Sequence, residues 1–587
     1  MSDGLRRSYI GGVLAALLLG ALLRGAWPTA DPPWRSTVGI VWHDEGAWAH
    51  NARNRALLGT WRTDEWNPMF ITPVFTALEY AAFRAFGVGT WQARTVPAVS
   101  GLFAVLMLAL GLAALGGYRA GVIGAGLLAT NFVFVMWNRA ALMESTMTAF
   151  IVASWAAYVL AERRPAVGVL AGVAVILAWF TKASAAFFVG AIVIDAAWTL
   201  LLWRGHSIRA RLGLPSPSEG AVRAAVWTLA GVLIAATAAI VLFVLPNWPE
   251  YRFYNWQMSV TRKPSYTIRA LMDRASWIPI NHDFFTRMWL VTAVAALGIA
   301  SVAARWRSAR PGERLLVLWV LLGFAELVVH DSGNERRYIM FIPALVGLFS
   351  LVVTTRDLLF PAPAAFPRWA RWAALPLMLL LGYIVFGSVV RLAFIYEVRP
   401  GVRLAAALAA AAALMVCMRW EHSYGWLSRQ RIRPAVAALL AALAAAGDLA
   451  QYWQWTRYRT RENYEASLAV GRVLAPGTLV HGKLANGLSL ENRIRPVFVG
   501  RGFGNYEDRL ERDDVRYILT YIAPSLGYES QKNNPVIRDV IEAYPHRAII
   551  MTFDVAETAT GHDRAALIDK FGADPNKARL TTGRAQN

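Results

Sequence analysis

Cysteine is almost missing from this chain: among 587 residues there is one, Cys417, set inside an apolar run. A lone thiol excludes an intrachain disulfide and any cysteine-based metal cluster, and its neighbours make it an inert buried thiol. Acidic residues are scarce as well. Asp and Glu number 38 against 59 Lys and Arg, a net charge of +21. In a soluble protein that surplus would suit nucleic acid. Here it is scattered through many short loops, which fits membrane orientation and anionic lipid and argues for no nucleic-acid partner. A dinucleotide fingerprint is also absent, since Gly500-Arg501-Gly502-Phe503-Gly504 lacks the spacing and reads as a plain loop. No half of the chain repeats the other.

Apolar residues are what the chain has in excess. They make up 56% of it, with 25 Trp and a mean hydropathy of +0.39, where a soluble domain holds roughly 45–50%. Runs at 97–115, 183–203, 224–246 and 373–395 approach or exceed the ~20 residues that cross a bilayer as helix. The expected fold class is an α-helical polytopic membrane protein of about 13 transmembrane helices with a small C-terminal α/β extracytoplasmic domain. The spans are placed at 8–27, 97–115, 119–137, 145–161, 165–181, 183–203, 224–246, 287–304, 315–330, 338–355, 373–393, 403–418 and 435–452. Residues 8–27 are read as a retained first span, because Arg24 and Pro28 spoil a signal-peptide pattern.

With the N-terminus inside, the cytoplasmic connections are short and basic, from Arg119 and Arg163-Arg164 to the stretch Arg419 through Arg433. The opposite side carries arginines too, among them Arg53, Arg62, Arg252, Arg336 and Arg337. They either snorkel to headgroups or gather around an anionic ligand.

The first outer loop, 28–96, is too long to be a mere connection. It begins an amphipathic helix at Glu45 that Gly59 would end after Leu58. A second apolar helix over 69–87 contains Glu79 and Arg84 and is expected in the interface plane; if it crosses, the topology after it inverts. Beyond the last span, short strands are expected at 478–481, 497–499, 516–519 and 548–551, with helices near 483–491 and 535–544. This divides the chain into a membrane part, 1–455, an α/β part, 456–565, and a polar, disordered tail, 566–587.

Trp42-His43-Asp44-Glu45 stands just outside the first span, where a carboxylate pair is costly unless used. Moving a group onto a hydroxyl requires a base to take the proton, and cations or a metal ion to stabilise a phosphate leaving group. Asp44 and Glu45 point about 100° apart on a helix, so one alone aims easily at a reacting hydroxyl. Asp44 is a catalytic candidate ahead of a plain N-cap, and the two roles are compatible. Glu144, in Asn138-Arg139-Ala140-Ala141-Leu142-Met143-Glu144, is either a second acid on the same side or a partner of Arg139. Lys182 is a snorkelling anchor or a phosphate contact, and Arg336-Arg337-Tyr338 opens a span on that side. A divalent metal ion could draw on Asp44, Glu45 and His43, with His50 or Glu144 nearby.

These pieces, in this order, resemble the GT-C glycosyltransferases of the protein O-mannosyltransferase and aminoarabinose lipid A transferase type. Asp44-Glu45 with the helix after it, Phe86-Gly87 through Arg94, Glu144, Thr181-Lys182, and Arg337-Tyr338 with Pro343 carry the resemblance, over most of residues 1–350. It implies a glycosyltransferase that moves a monosaccharide from a polyprenyl-phosphate-linked donor to a lipid, glycan or protein acceptor. The transfer would invert the anomeric carbon, on the outer face of the cytoplasmic membrane. By carry-over, Asp44 would be the base, with Glu45 or Glu144 supporting it or holding a metal. Arg53, Lys182, Arg336, Arg337 and Tyr338 would meet the donor phosphate. One departure is Ile71-Thr72 before Pro73, where the lipid A branch has a Glu-Lys pair; the metal arrangement and the acceptor stay open with it. The other classes are a transporter or flippase of lipid-linked sugars and a membrane-anchored sugar- or lipid-binding protein.

Overall fold

In the computed structural model of the chain, the described residues are 3–33, 44–205, 216–259, 283–330, 335–355, 432–500, 504–523, 535–555 and 563–572, with isolated positions at 379, 404–405 and 408–409. Helix α1 (Asp3–Gly25) is followed by α2 (Asp44–Leu58), α3 (Pro73–Phe86), α4 (Thr90–Gly116), α5 (Tyr118–Thr130), α6 (Phe132–Trp137), α7 (Met143–Ala161), α8 (Val167–Thr181) and α9 (Ala186–Arg204). Further along lie α10 (Glu219–Ala239), α11 (Trp248–Ser259), α12 (Trp289–Ala304), α13 (Pro311–His330), α14 (Ile342–Thr354), α15 (Pro434–Tyr458) and α16 (Glu462–Val473).

Among the described residues, seven helical stretches are long and apolar enough to cross a membrane. Their burial sorts them. Met143–Ala161 and Glu335–Thr354 are 89% buried and form the centre, whereas Glu219–Val244, at 11%, turns its apolar surface outward to lipid. The molecule is a multi-pass membrane protein.

Two expected spans, 373–393 and 403–418, lie outside the described residues. The one expected over 119–137 is two helices, broken at Asn131. Its freed backbone is satisfied: the Asn131 side chain accepts from Phe134 N, and Asp448 of α15 accepts from Phe132 N at 3.0 Å. The other expected spans coincide with helices. Helix α3, at 14 residues, rises only about 21 Å, short of the ~30 Å hydrocarbon core. It packs on α2 and α4.

The C-terminal region holds a five-stranded sheet in the order β2-β1-β3-β5-β4. Strand β1 (Leu479–His481) pairs in parallel with β2 (Arg495–Val497) and β3 (Tyr517–Ala523), while β5 (Asp563–Asp569) runs antiparallel between β3 and β4 (Ala548–Val555). Strand β5 corrects the sequence reading, whose boundary at 565 falls inside it and whose disordered tail begins within it. Ala565, Ala566 and Leu567 are fully buried there. Alanine has little strand preference of its own, and pairing on both sides decides the matter.

This sheet region sits directly on α2. A Cβ at Gly46 would run into the Asn486 carbonyl, so a glycine permits the contact. Asp31 is buried and accepts from Thr460 Oγ1 at 2.7 Å and from the N–H groups of Glu462 and Asn463. It thereby caps α16 from across the structure.

Candidate functional site

Four charged side chains from four elements meet on the α2 side of the membrane bundle. Helix α2 opens at Asp44, α7 carries Glu144 in its first turn, Lys182 occupies the turn between α8 and α9, and Glu335–Arg337 forms a 3-10 turn ahead of α14. Each stands at a helix end, and all four side chains are largely buried there.

The contacts alternate in sign. Arg336 Nη1 donates to Asp44 Oδ2 at 2.8 Å, Arg336 Nε stands 3.2 Å from Glu144 Oε1, and Lys182 Nζ donates to the same Glu144 oxygen at 2.6 Å. The second Glu144 oxygen is buried without a hydrogen-bond partner. Burial pushes the Lys182 ammonium down to about 8, against the attraction of Glu144, while Arg337 and Arg336 add to the lowering by repulsion. Arg337 therefore lies within electrostatic reach of the cluster. With Arg337 counted, three cations face two carboxylates, a surplus suited to an anion.

The turn itself is braced from behind. Trp137 Nε1 donates to Glu335 Oε1 at 3.2 Å, and Arg287 pairs with Glu335 at 3.2 Å. Arg287 also lines a cavity of about 350 Å3 with Phe132, Gln451, Gln454 and Tyr458, which lies beside the cluster on the same side.

Other residues singled out from sequence are placed elsewhere. Glu45 is held by Arg94, Nε to Oε1 and Nη2 to Oε2, both at 2.8 Å, and its Oε1 also accepts from Ala141 N at 2.7 Å. Both oxygens are used, and Glu45 is a buried anchor of α2 to α4. Arg53 is fully buried and donates to the carbonyls of Ser489, Asn492 and Ile494; it fastens the sheet region and does not face the cluster. Tyr338 is fully buried, its ring 5.3 Å from that of Phe284 and 6.0 Å from Phe285. It anchors the turn that presents Arg336 and Arg337, and its ring is not offered to a ligand.

Among the described residues, no group of three His, Cys, Asp or Glu side chains is placed to hold a metal ion. Glu45 is committed to Arg94, and the Arg336 guanidinium already fills the space between Asp44 and Glu144. His50 is tied to Asp64 at 2.9 Å and to Asn486 at 3.1 Å. His43 lies outside the described residues. Sequence reasoning placed Arg94 only at the end of the Phe86-Gly87 segment and did not pair it with Glu45, and it missed Asp64, which accepts from both His50 and Phe498 N.

Comparison with known proteins gives three results. Residues 71–257, less than half of the chain, match the family described as dolichyl-phosphate-mannose-protein mannosyltransferase; Glu144 and Lys182 fall within that stretch, Asp44 and Arg336 outside it. No curated protein matches. Among solved structures, ArnT from Cupriavidus metallidurans in the apo state is similar at TM-score 0.51 and 16% identity, over 95% of this chain and 97% of that one. The same protein bound to undecaprenyl phosphate gives TM-score 0.47 and 18% identity, over 97% and 98%. The Archaeoglobus fulgidus oligosaccharyltransferase in the apo form gives 0.41 and 13%, over 93% and 73%. The likeness to apo ArnT over nearly the whole of both chains shows that this chain shares that protein's fold, the GT-C fold.

Proposed function

We propose that the chain is a membrane glycosyltransferase that moves a monosaccharide from a polyprenyl-phosphate carrier to a hydroxyl acceptor on the extracytoplasmic face, with inversion at the anomeric carbon. The observation that carries this reading is the convergence of Asp44, Arg336, Glu144 and Lys182 at one end of the bundle. The family match, named for a lipid-phosphate-linked sugar, supports the donor class.

In this scheme Asp44 takes the proton of the acceptor hydroxyl as its oxygen bonds to the anomeric carbon. The bond from that carbon to the phosphate oxygen breaks, and its electron pair stays on the phosphate. Lys182, Arg336 and Arg337 meet the charge that develops there, as preorganised cations in a site with little water. Glu144 holds Lys182 and Arg336 in place for this and needs no proton transfer of its own. Arg336 links the halves, since it orients the base and faces the leaving group. Inversion follows when base and phosphate lie on opposite sides of the sugar.

The test is a panel of undecaprenyl-phosphate sugars given to the purified protein, with envelope extract as the acceptor pool. Release of undecaprenyl phosphate together with sugar transfer is the expected result for at least one donor. Binding of donors with no release would instead make the protein a carrier or binder of lipid-linked sugars.

A further inference from the structure

We infer that the end of the bundle opposite Asp44 holds a binding site for an anionic phospholipid, its phosphate between Arg119 and Arg433. This does not rest on the transferase reading. A cavity of about 740 Å3 opens there, between the starts of α1, α5 and α15 and the end of α14, within the usual range for small-molecule sites. Its lining combines two chemistries. Val122, Val352 and Ala437 form an apolar wall, and Tyr9, Arg119, Thr355 and Arg433 supply polar groups.

Those polar groups want partners. Tyr9 Oη and Thr355 Oγ1 are buried without a hydrogen-bond partner, and such an orphan is costly unless something arrives to satisfy it. Among the described residues, neither the Arg119 nor the Arg433 guanidinium is given an acceptor, although both border the cavity. The two forked guanidinium donors bordering the cavity match the oxygens of a phosphodiester, and the orphaned Tyr9 and Thr355 hydroxyls lie in residues of its wall. Tyr9 is held in position by Tyr118, with ring centroids 5.0 Å apart, and by Gly121, where a Cβ would stand 2.9 Å from its ring.

The apolar wall selects a lipid over a free phosphate, because it offers an acyl chain a surface that an inorganic anion leaves unused. Charge agrees. Arg6, Arg7, Arg163 and Arg164 are exposed at helix ends on the same side, and such basic clusters draw anionic headgroups.

The experiment is native mass spectrometry of the delipidated full-length protein titrated with dioleoyl phosphatidylglycerol, dioleoyl phosphatidylcholine or inorganic phosphate. The expected result is retention of phosphatidylglycerol about tenfold more tightly than phosphatidylcholine, lost in the R119A/R433A double variant. Equal retention of the two lipids, equal retention by wild type and double variant, or displacement of phosphatidylglycerol by millimolar phosphate would overturn the inference. Should the double variant fail to fold, Tyr9→Phe carries the test. Without lipid it should melt no lower than wild type, since it deletes an orphan hydroxyl, yet bind phosphatidylglycerol several-fold more weakly. Unchanged affinity in Tyr9→Phe would count against the site.

Discussion

Replacing Glu45 by Gln separates an anchor from a catalyst. The side chain keeps its shape but loses the charge that Arg94 faces across two 2.8 Å contacts. Both partners are nearly buried, at 5% and 7% side-chain exposure, so water cannot replace the lost carboxylate. Breaking such a buried pair by removing one partner costs about 3–5 kcal/mol, chiefly for the uncompensated charge left behind. Arg94 keeps hydrogen bonds to the carbonyls of Pro28 and Ala30 and the more distant charges of Asp31 and Glu491, and the Ala141 N–H loses its ionic acceptor. The expected outcome in detergent is a melting transition, followed by tryptophan fluorescence, well below that of wild type. The E45Q/R94Q double variant, which removes both charges, should lie between the two, because the pair then couples in a double-mutant cycle. A Glu45→Gln protein that melts like wild type yet has lost turnover would refute this and return Glu45 to the chemistry.

Three further outcomes are expected. Lys182→Met should raise the donor KM more than it lowers kcat, and an unchanged KM would remove Lys182 from the phosphate site. Because the Lys182 ammonium is pushed down to about 8, it is charged below that pH and loses its proton as the pH rises through it. The donor KM should therefore climb above about pH 8, whereas Lys182→Arg, which stays protonated, should flatten the profile; an identical inflection in that variant would assign it to another group. Arg53→Met strands the buried carbonyls of Asn492 and Ile494, each costing about 1–3 kcal/mol, and leaves that of Ser489 with only the N–H of Asn492 at 3.4 Å. The expected readout is faster proteolysis of the sheet region with donor KM unchanged in the folded fraction, and a raised KM without that proteolysis would contradict the assignment.

Helix α2 is legible in the sequence because its signals are local: two acidic residues open it, and Gly59, at φ +75°, closes it. The cluster is legible for a related reason. Asp44, Glu144, Lys182 and Arg336 each end a helix, and alternating helix directions put those ends on one side. What the sequence cannot show is which arginine answers which acid. Arg53 and Arg94 look alike as basic residues near Asp44-Glu45, yet one is taken by carbonyls more than 430 positions away and the other by Glu45. Strand β5 is hidden for the same reason, since its identity comes from two neighbours and not from Asp563–Asp569 itself. The break at Asn131 needs Asp448, from a helix far along the chain.

The most direct measurement is turnover and donor affinity of Asp44→Asn. The amide keeps the shape of the carboxylate and removes its capacity as a base, so kcat should fall by about 10²–10⁴ while donor binding and melting stay near those of wild type. A kcat within a few-fold of wild type would show that Asp44 is only the partner of Arg336 and the opening residue of its helix.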